Sequence, residues 1–255
     1  MDGRTAGEDT VVVLPAFNEA VALPRLLHRL AETNGPSVRV LIVDDGSTDG
    51  TAAAAAGLAS ELPHLRVLRH DGNRGLGAAL RSGWEAALAQ GLPDHGAVVT
   101  MDADDTHDPA LIADLLGLLG RGYDVAIASR FAPGGGEVGL SPARRVLSQG
   151  ARLVLWLLRR IPGVSDYTCG YRAYRAGALR QAFAAYGASG LITAPGFACT
   201  AEVLLKMASL GARCAEAPLI LHYDQKAGRS KMRVLRTLVG YAHVLSATRR
   251  VRRTA

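Results

Sequence analysis

Val98-Val99-Thr100-Met101-Asp102-Ala103-Asp104-Asp105 decides how this chain is read. A short apolar run of the kind that makes a buried strand stops at a cluster of carboxylates, and Asp108-Pro109 then opens a helix. In α/β sheets ligands bind beyond the carboxyl ends of the strands, so this run delivers acidic groups to the place where a ligand would sit. Asp102 and Asp104, two apart in extended chain, point to the same side and can share one hard cation. An acidic loop that is merely solvated is the competing reading, because such clusters are common at turns.

Working outward, the same arrangement recurs. An apolar run over 11–14 is stopped by Pro15 and followed from Asn18 by Val21, Leu23, Leu26, Leu27 and Leu30 at helical spacing. A second run over 38–43 ends in Asp44-Asp45-Gly46-Ser47, with Ser47 or Thr48 as N-cap of a helix through the alanines 52–56. A third strand is expected over 65–69, a helix over 75–88, a fourth strand over 97–101, a helix over 109–119 and a strand over 123–128. Strands alternating with helices at this spacing predict an α/β fold, a mostly parallel sheet covered on both faces. Beyond residue 130 the pattern loosens into a Gly-rich loop over 131–139, a long helix over 141–161, strand-like 167–174, a helix over 202–210 and a strand over 217–223.

With 255 residues, 49% of them hydrophobic, the chain can form one large domain that buries roughly three-quarters of its unfolded surface. A net charge of +6 favours anionic partners. Only 5% of residues are aromatic and no basic stripe is interleaved with them, which argues against nucleic acid. Cys169, Cys199 and Cys214 lack metal-ligand spacing and read as structural thiols of a reducing compartment. Residues 1–9 carry acidic groups and no apolar core, so a disordered tail is expected rather than a secretory signal. No apolar run approaches the roughly 18 residues that span a bilayer, so a cytoplasmic or peripheral protein is expected.

Four strand ends converge on chemistry: Pro15-Ala16-Phe17-Asn18-Glu19, Val43-Asp44-Asp45-Gly46-Ser47, Asp102-Ala103-Asp104 and Ser129-Arg130-Phe131. Their order resembles the family 2 glycosyltransferases of GT-A fold, from Thr10 to about Lys231. Asn73-Arg74-Gly75-Leu76-Gly77, the stretch Asp166-Tyr167-Thr168-Cys169-Gly170-Tyr171-Arg172-Ala173-Tyr174, and Gly228-Arg229-Ser230-Lys231 narrow the resemblance to the dolichol-phosphate mannosyltransferase (polyprenyl-phosphate glycosyltransferase) branch. The resemblance implies a GT-A domain over 10–229, which the residues themselves set between the disordered tail over 1–9 and a C-terminal amphipathic helix with a basic tail over 230–255.

It implies as well an inverting, metal-dependent transfer of a sugar, mannose from GDP-mannose first, to a polyprenyl phosphate. Asp102 and Asp104 would hold Mg2+ or Mn2+, oxygen ligands suiting these ions better than zinc. Glu19 and Asp45 would hold the nucleoside, with Pro15, Phe17, Val43 and Ala103 in backbone and packing contact. Arg130 and Lys231 match phosphate-binding positions, and Arg144 would assist; an exposed basic helix face explains Arg144 as well. A lipid phosphate is largely a dianion near neutrality and needs no general base, only cations that position two repelling anions.

Three positions depart from the family pattern. Thr106 stands where Gln is usual and can coordinate a cation through its hydroxyl; Cys169 stands for Ser; Gln225 stands for Arg, with Lys226 beside it to take over the charge. A turn-forming role competes for Asp44 and Asp45, a close-packed helix start explains Gly75 and Gly77, and a solvated turn histidine is expected at His107. A core aromatic and a surface arginine account for Tyr171 and Arg172 as well as donor-sugar contacts do. The apolar segment with Trp156 between Arg144-Arg145 and Arg159-Arg160, and the basic C-terminal helix, suggest peripheral membrane contact. Two alternatives stay open: a same-fold enzyme with a soluble saccharide or natural-product acceptor, and a non-catalytic nucleotide-binding scaffold.

Overall fold

Alternation along the apolar runs produces a sheet with two covered faces. In strand β1 (Thr10–Ala16) Val11 and Val13 pack into one core layer, with Trp84, Leu179 and Leu204, while Val12 and Leu14 pack into the other, with Leu23, Leu26 and Leu115. The computed structural model describes residues 9–35, 38–58, 62–139 and 159–223, with positions 149–150, 152, 155–157, 240–241 and 244.

The remaining strands are β2 (Arg39–Asp44), β3 (Leu65–Arg69), β4 (Ala97–Thr100), β5 (Val125–Ser129), β6 (Gly136–Val138), β7 (Arg172–Arg175), β8 (Cys214–Pro218) and β9 (Ile220–His222). The helices are α1 (Ala22–Asn34), α2 (Thr51–Ala56), α3 (Leu76–Leu88), α4 (Ile112–Gly120), α5 (Ala176–Tyr186), α6 (Ala188–Leu191) and α7 (Ala198–Ser209). Seven strands form the main sheet in the order β3-β2-β1-β4-β7-β5-β8. Pairings β1–β2, β2–β3, β1–β4 and β5–β8 are parallel, and β7 runs antiparallel to both neighbours. The carboxyl ends of six strands therefore share one edge with the amino end of β7.

On one face α1 buries Leu23, Leu26, Leu27 and Leu30 completely, each contributing about 1.5–3 kcal/mol of transfer free energy. On the other, α3 lies so close to the sheet that a Cβ on Gly83 would stand 2.4 Å from Val13 Cγ1 and 3.0 Å from Val43 Cγ2. Gly83 is thus a contact surface, and any larger residue would push α3 off β1 and β2.

Several expected elements are redrawn. The N-cap of α2 is Gly50, at φ 88°, and not Ser47 or Thr48, whose polar groups bind Asn18 instead. The strand-like 167–174 is a strand only from Arg172, and 166–171 is an irregular segment. The strand over 217–223 divides between β8 in the main sheet and β9, which pairs with β6 out of the Gly-rich loop. Helix α7 starts at Ala198, a turn before Glu202. Most of the helix expected over 141–161, and of the segment 230–255, lies outside the described residues, as do residues 1–8 of the tail.

Candidate active site

The loops after β1 and β2 are stitched together by side chains that accept and donate across the gap. Ser47 Oγ accepts from the Asn18 amide (2.9 Å), Asn18 Oδ1 accepts from the Thr48 amide (2.9 Å), and Thr51 Oγ1 accepts from the Glu19 amide (2.8 Å). Asn18 takes φ 54°, a left-handed geometry that Asn tolerates better than most residues. Asp49 completes the seam, accepting from Ala20 and Thr51; burial would raise its pKa, and these hydrogen bonds outweigh it and hold it below the usual carboxylate value.

Asp44 and Asp45 are both buried, and each has internal partners. Asp44 accepts from the Ser47 amide (2.9 Å) and lies 3.3 Å from Arg69 Nε. Asp45 holds the loop after β3: it accepts from the Arg74 amide (2.9 Å) and the Gly75 amide (2.7 Å) and lies 2.7 Å from His70 Nδ1. His70 Nε2 reaches Ser82 Oγ at 3.0 Å, tying the loop to α3. A Cβ on Gly46 would fall 2.4 Å from the Gly72 carbonyl carbon, so the β2 and β3 loops are in backbone contact. Gly75 ends that loop and starts α3 at φ 88°, a backbone geometry that favours glycine though a Cβ there would meet nothing, whereas the close packing is at Gly77, where a Cβ would stand 2.8 Å from Ile192 Cγ2. A carboxylate accepts about four hydrogen bonds, and Asp45 uses most of its capacity within the protein.

After β4 the chain makes a tight acidic turn. Thr106 donates to Asp104 Oδ1 from its hydroxyl (2.6 Å) and its amide (3.3 Å), an arrangement made possible by Asp105 at φ 61°. The Asp102 amide donates to His107 Nδ1 at 3.2 Å, which puts the imidazole proton on Nε2. His107 is 2% exposed and stacks on Tyr171 at 5.0 Å, so the expected solvated histidine is a buried one. Asp102 faces the Gly170 segment, a Cβ on Gly170 standing 3.6 Å from Asp102 Oδ1. Between them lies a small cleft bordered by Pro15, Trp84, Thr100, Asp102, Gly170 and Phe197. Among the described residues no three His, Cys, Asp or Glu side chains gather for a metal. A pair of carboxylates completed by substrate phosphates and water is the arrangement Mg2+ and Mn2+ accept, so the residues fit that class of ion.

Past β5, Arg130 is surrounded by acceptors. Nε and Nη2 form a two-pronged pair with Asp166 (2.7 and 2.8 Å), Nη2 also donates to Thr168 Oγ1 (2.6 Å), and Nη1 donates to Glu137 (3.0 Å). Among the described residues, four of its five N–H groups are engaged, the second hydrogen of Nη1 being the exception. Burial would lower the Arg130 pKa, but the Asp166 charge more than offsets it and raises the value well above the usual one. Burial likewise works against Asp166, yet the Arg130 charge and hydrogen bonds from the guanidinium and from the Thr168 and Cys169 amides bring its carboxyl down to about 2.

Other expectations fall as follows. Arg172 is fully buried, donating to the Thr200 and Tyr167 carbonyls (2.6 and 2.8 Å), so it is no surface arginine. Tyr171 is a core residue whose hydroxyl donates to the Asp108 carbonyl (2.9 Å). Val43 and Ala103 are buried and Pro15, Phe17 and Glu19 half-buried along the same edge. Arg144, Gln225, Lys226 and Lys231 lie outside the described residues. Reasoning from sequence missed His70, Asp166 as the partner of Arg130, and the buried Glu202–Lys206 pair (2.5 Å), through which Glu202 also receives the Ala194 amide (2.7 Å) of the segment bearing Phe197. The i,i+4 spacing of Glu202 and Lys206 was the one available signal.

The family model described as "Glycosyl transferase family 2" matches residues 11–183. Polyprenol monophosphomannose synthase of Mycolicibacterium smegmatis is 39% identical over 67% of this chain, the match covering 66% of that protein, just under two thirds. Undecaprenyl-phosphate mannosyltransferase of Micrococcus luteus is 34% identical over 87% of this chain and 86% of its own. Among solved structures, glucosyl-3-phosphoglycerate synthase of Mycobacterium tuberculosis, crystallised with Mn2+, UDP and phosphoglyceric acid, superimposes with a TM-score of 0.65 at 23% identity, over 96% of this chain and 84% of that one.

Proposed function

The chain belongs to glycosyl transferase family 2 and is a glycosyltransferase, and from that premise we propose that it transfers mannose from GDP-mannose to a polyprenyl phosphate. The observation that carries this reading is the shared edge. The loops after β1, β2 and β4 carry Glu19, Asp45, Asp102 and Asp104 at one edge of the sheet, Arg130 follows β5 on the same edge, and the relatives identical at 34–39% are named for polyprenyl-phosphate mannosyl transfer.

In the proposed reaction a phosphate oxygen of the lipid attacks the anomeric carbon from the face opposite the nucleotide. The bond from that carbon to the diphosphate breaks, its electron pair leaves with the diphosphate, and the configuration inverts. Asp102 and Asp104 would hold Mg2+ or Mn2+, which supplies neutralisation of charge gathering on the departing diphosphate. Thr106 keeps Asp104 in one orientation through its two hydrogen bonds. Asp45 shapes the nucleoside side by holding the Arg74-Gly75 backbone, and Glu19 stands at the adjoining loop. Arg130, with Lys231 and Arg144 or Lys226, is assigned to the acceptor phosphate. No side chain is required as a base, because the phosphate arrives ionised.

The test is transfer of label from GDP-mannose to polyprenyl phosphate, giving an EDTA-sensitive, solvent-extractable product. Absence of transfer from any of several nucleotide sugars to the lipid overturns the acceptor assignment. The pairing of Arg130 with two carboxylates favours a second reading, a soluble acceptor on the same fold, because it leaves little cationic capacity for a dianion. Transfer to a soluble saccharide in place of the lipid separates the two.

A further inference from the structure

We propose that Arg29, assisted by Arg25, is a positioning residue for the cation-binding turn, acting through Asp105; this rests on the metal-dependent reading above. Asp105 is a non-glycine residue at φ 61° with only 5% of its surface exposed. Left-handed backbone costs a non-glycine residue free energy, less for Asp than for most, and it gathers at functional sites where surrounding contacts hold it. Here the reversal at Asp105 lets Thr106 fold back and give both its hydrogen bonds to Asp104 Oδ1. The orientation of the Asp104 carboxylate thus depends on the conformation of its neighbour.

What enforces that conformation comes from a different layer of the molecule. Arg29 Nη1 pairs with Asp105 Oδ1 at 2.8 Å, while its Nη2 reaches Asp108 Oδ1 at 3.1 Å, so one guanidinium spans both ends of the turn. Arg25 Nε adds a contact of 3.5 Å to Asp105 Oδ2. Asp108 in turn accepts from the Ala110 amide (3.1 Å), fixing the start of the following helical turn. The arginines ride on α1, anchored by four fully buried leucines, so the clamp is rigid at its base. At its other side the turn is held by His107 on the Asp102 amide and against Tyr171.

The sign of the effect distinguishes positioning from simple electrostatics. Arg29 is a positive charge near a site for a cation, so by Coulomb's law its removal tightens cation binding. If Arg29 positions the turn, its removal weakens binding instead. The measurement is titration of the full chain with Mn2+, read by loss of the free-ion paramagnetic resonance signal, with and without GDP. Arg29→Gln should weaken Mn2+ binding about tenfold, as loss of a group that orients a metal ligand does. Arg29→Lys, which cannot span both carboxylates, should weaken it partially.

Adding Asp105→Gly to Arg29→Gln should restore most of the affinity, because glycine adopts the left-handed geometry unaided. Unchanged or tighter binding in Arg29→Gln, or no recovery in the double variant, overturns the proposal alone. Failure of the unmutated chain to bind Mn2+ under either condition overturns the proposal and the metal-dependent reading together.

Discussion

Two carboxylates flank one guanidinium at Arg130, and the molecule should report that by its acid stability. With a folded-state value of about 2 against an ordinary 3.8, Asp166 contributes stability that is complete above about pH 4 and is lost as pH falls through about 2. The contribution is roughly 2 kcal/mol, and urea titrations between pH 5 and 2 should show it disappear in Asp166→Asn. Removing that carboxylate leaves a buried charge half-paired, so the variant should also be less stable at pH 7 by about 3–5 kcal/mol. Asp104→Ala should lower transfer by about two to three orders of magnitude, the cost of losing one group that stabilises the departing charge. The strand-end carboxylates were legible because strand, acidic residue and turn are contiguous in the chain. The partners of Arg130 were not, because Glu137 reaches it from β6 and Asp166 from a segment 36 residues further on, and no local pattern announces either ion pair.

Between elements, glycine sets how closely layers approach. Gly83→Ala places a methyl group inside the Val13 side chain; overpacking of this kind costs about 1–3 kcal/mol and should lower the melting temperature by several degrees without changing the affinity for GDP. The three cysteines obey the same close packing: all are buried, and burial pushes Cys169 and Cys199 up to about 12 and Cys214 up to about 11. At pH 8 a disulfide reagent should therefore leave the native chain unlabelled and label it only on unfolding. Through β5 every element was readable from apolar period and turn residues. Residues 166–171 misled because Tyr167, Cys169 and Tyr171 alternate as in a strand, while the Thr168 and Cys169 amides in fact go to the Asp166 carboxylate. The division into β8 and β9 was equally hidden, since the partner of β9 is a three-residue strand inside a Gly-rich loop.

For the molecule as a whole, among the described residues no helix is long and apolar enough to cross a membrane. Trp156 (37% exposed) and Leu157 (63%) nevertheless lie near Arg152, Arg159 and Arg160 in sequence, with Arg160 over the Trp156 ring at 5.3 Å. If a polyprenyl phosphate is the acceptor, the enzyme should float with anionic vesicles at low salt, release as salt rises, and bind less well as Leu157→Asp. Failure to float under any of these conditions would count against a lipid acceptor. The placement of β7 governs how the sheet can be assembled at all. Hydrogen bonded to β4 on one side and β5 on the other, it is the only direct seam between the two halves of the main sheet among the described residues. During synthesis β5 emerges before the strand that attaches it, so a nascent chain that ends before Arg172 holds a four-stranded sheet with an open edge and an orphaned fifth strand. Such a fragment would expose ladder groups to any passing strand, and no shortened form of the enzyme ending there would inherit a complete sheet.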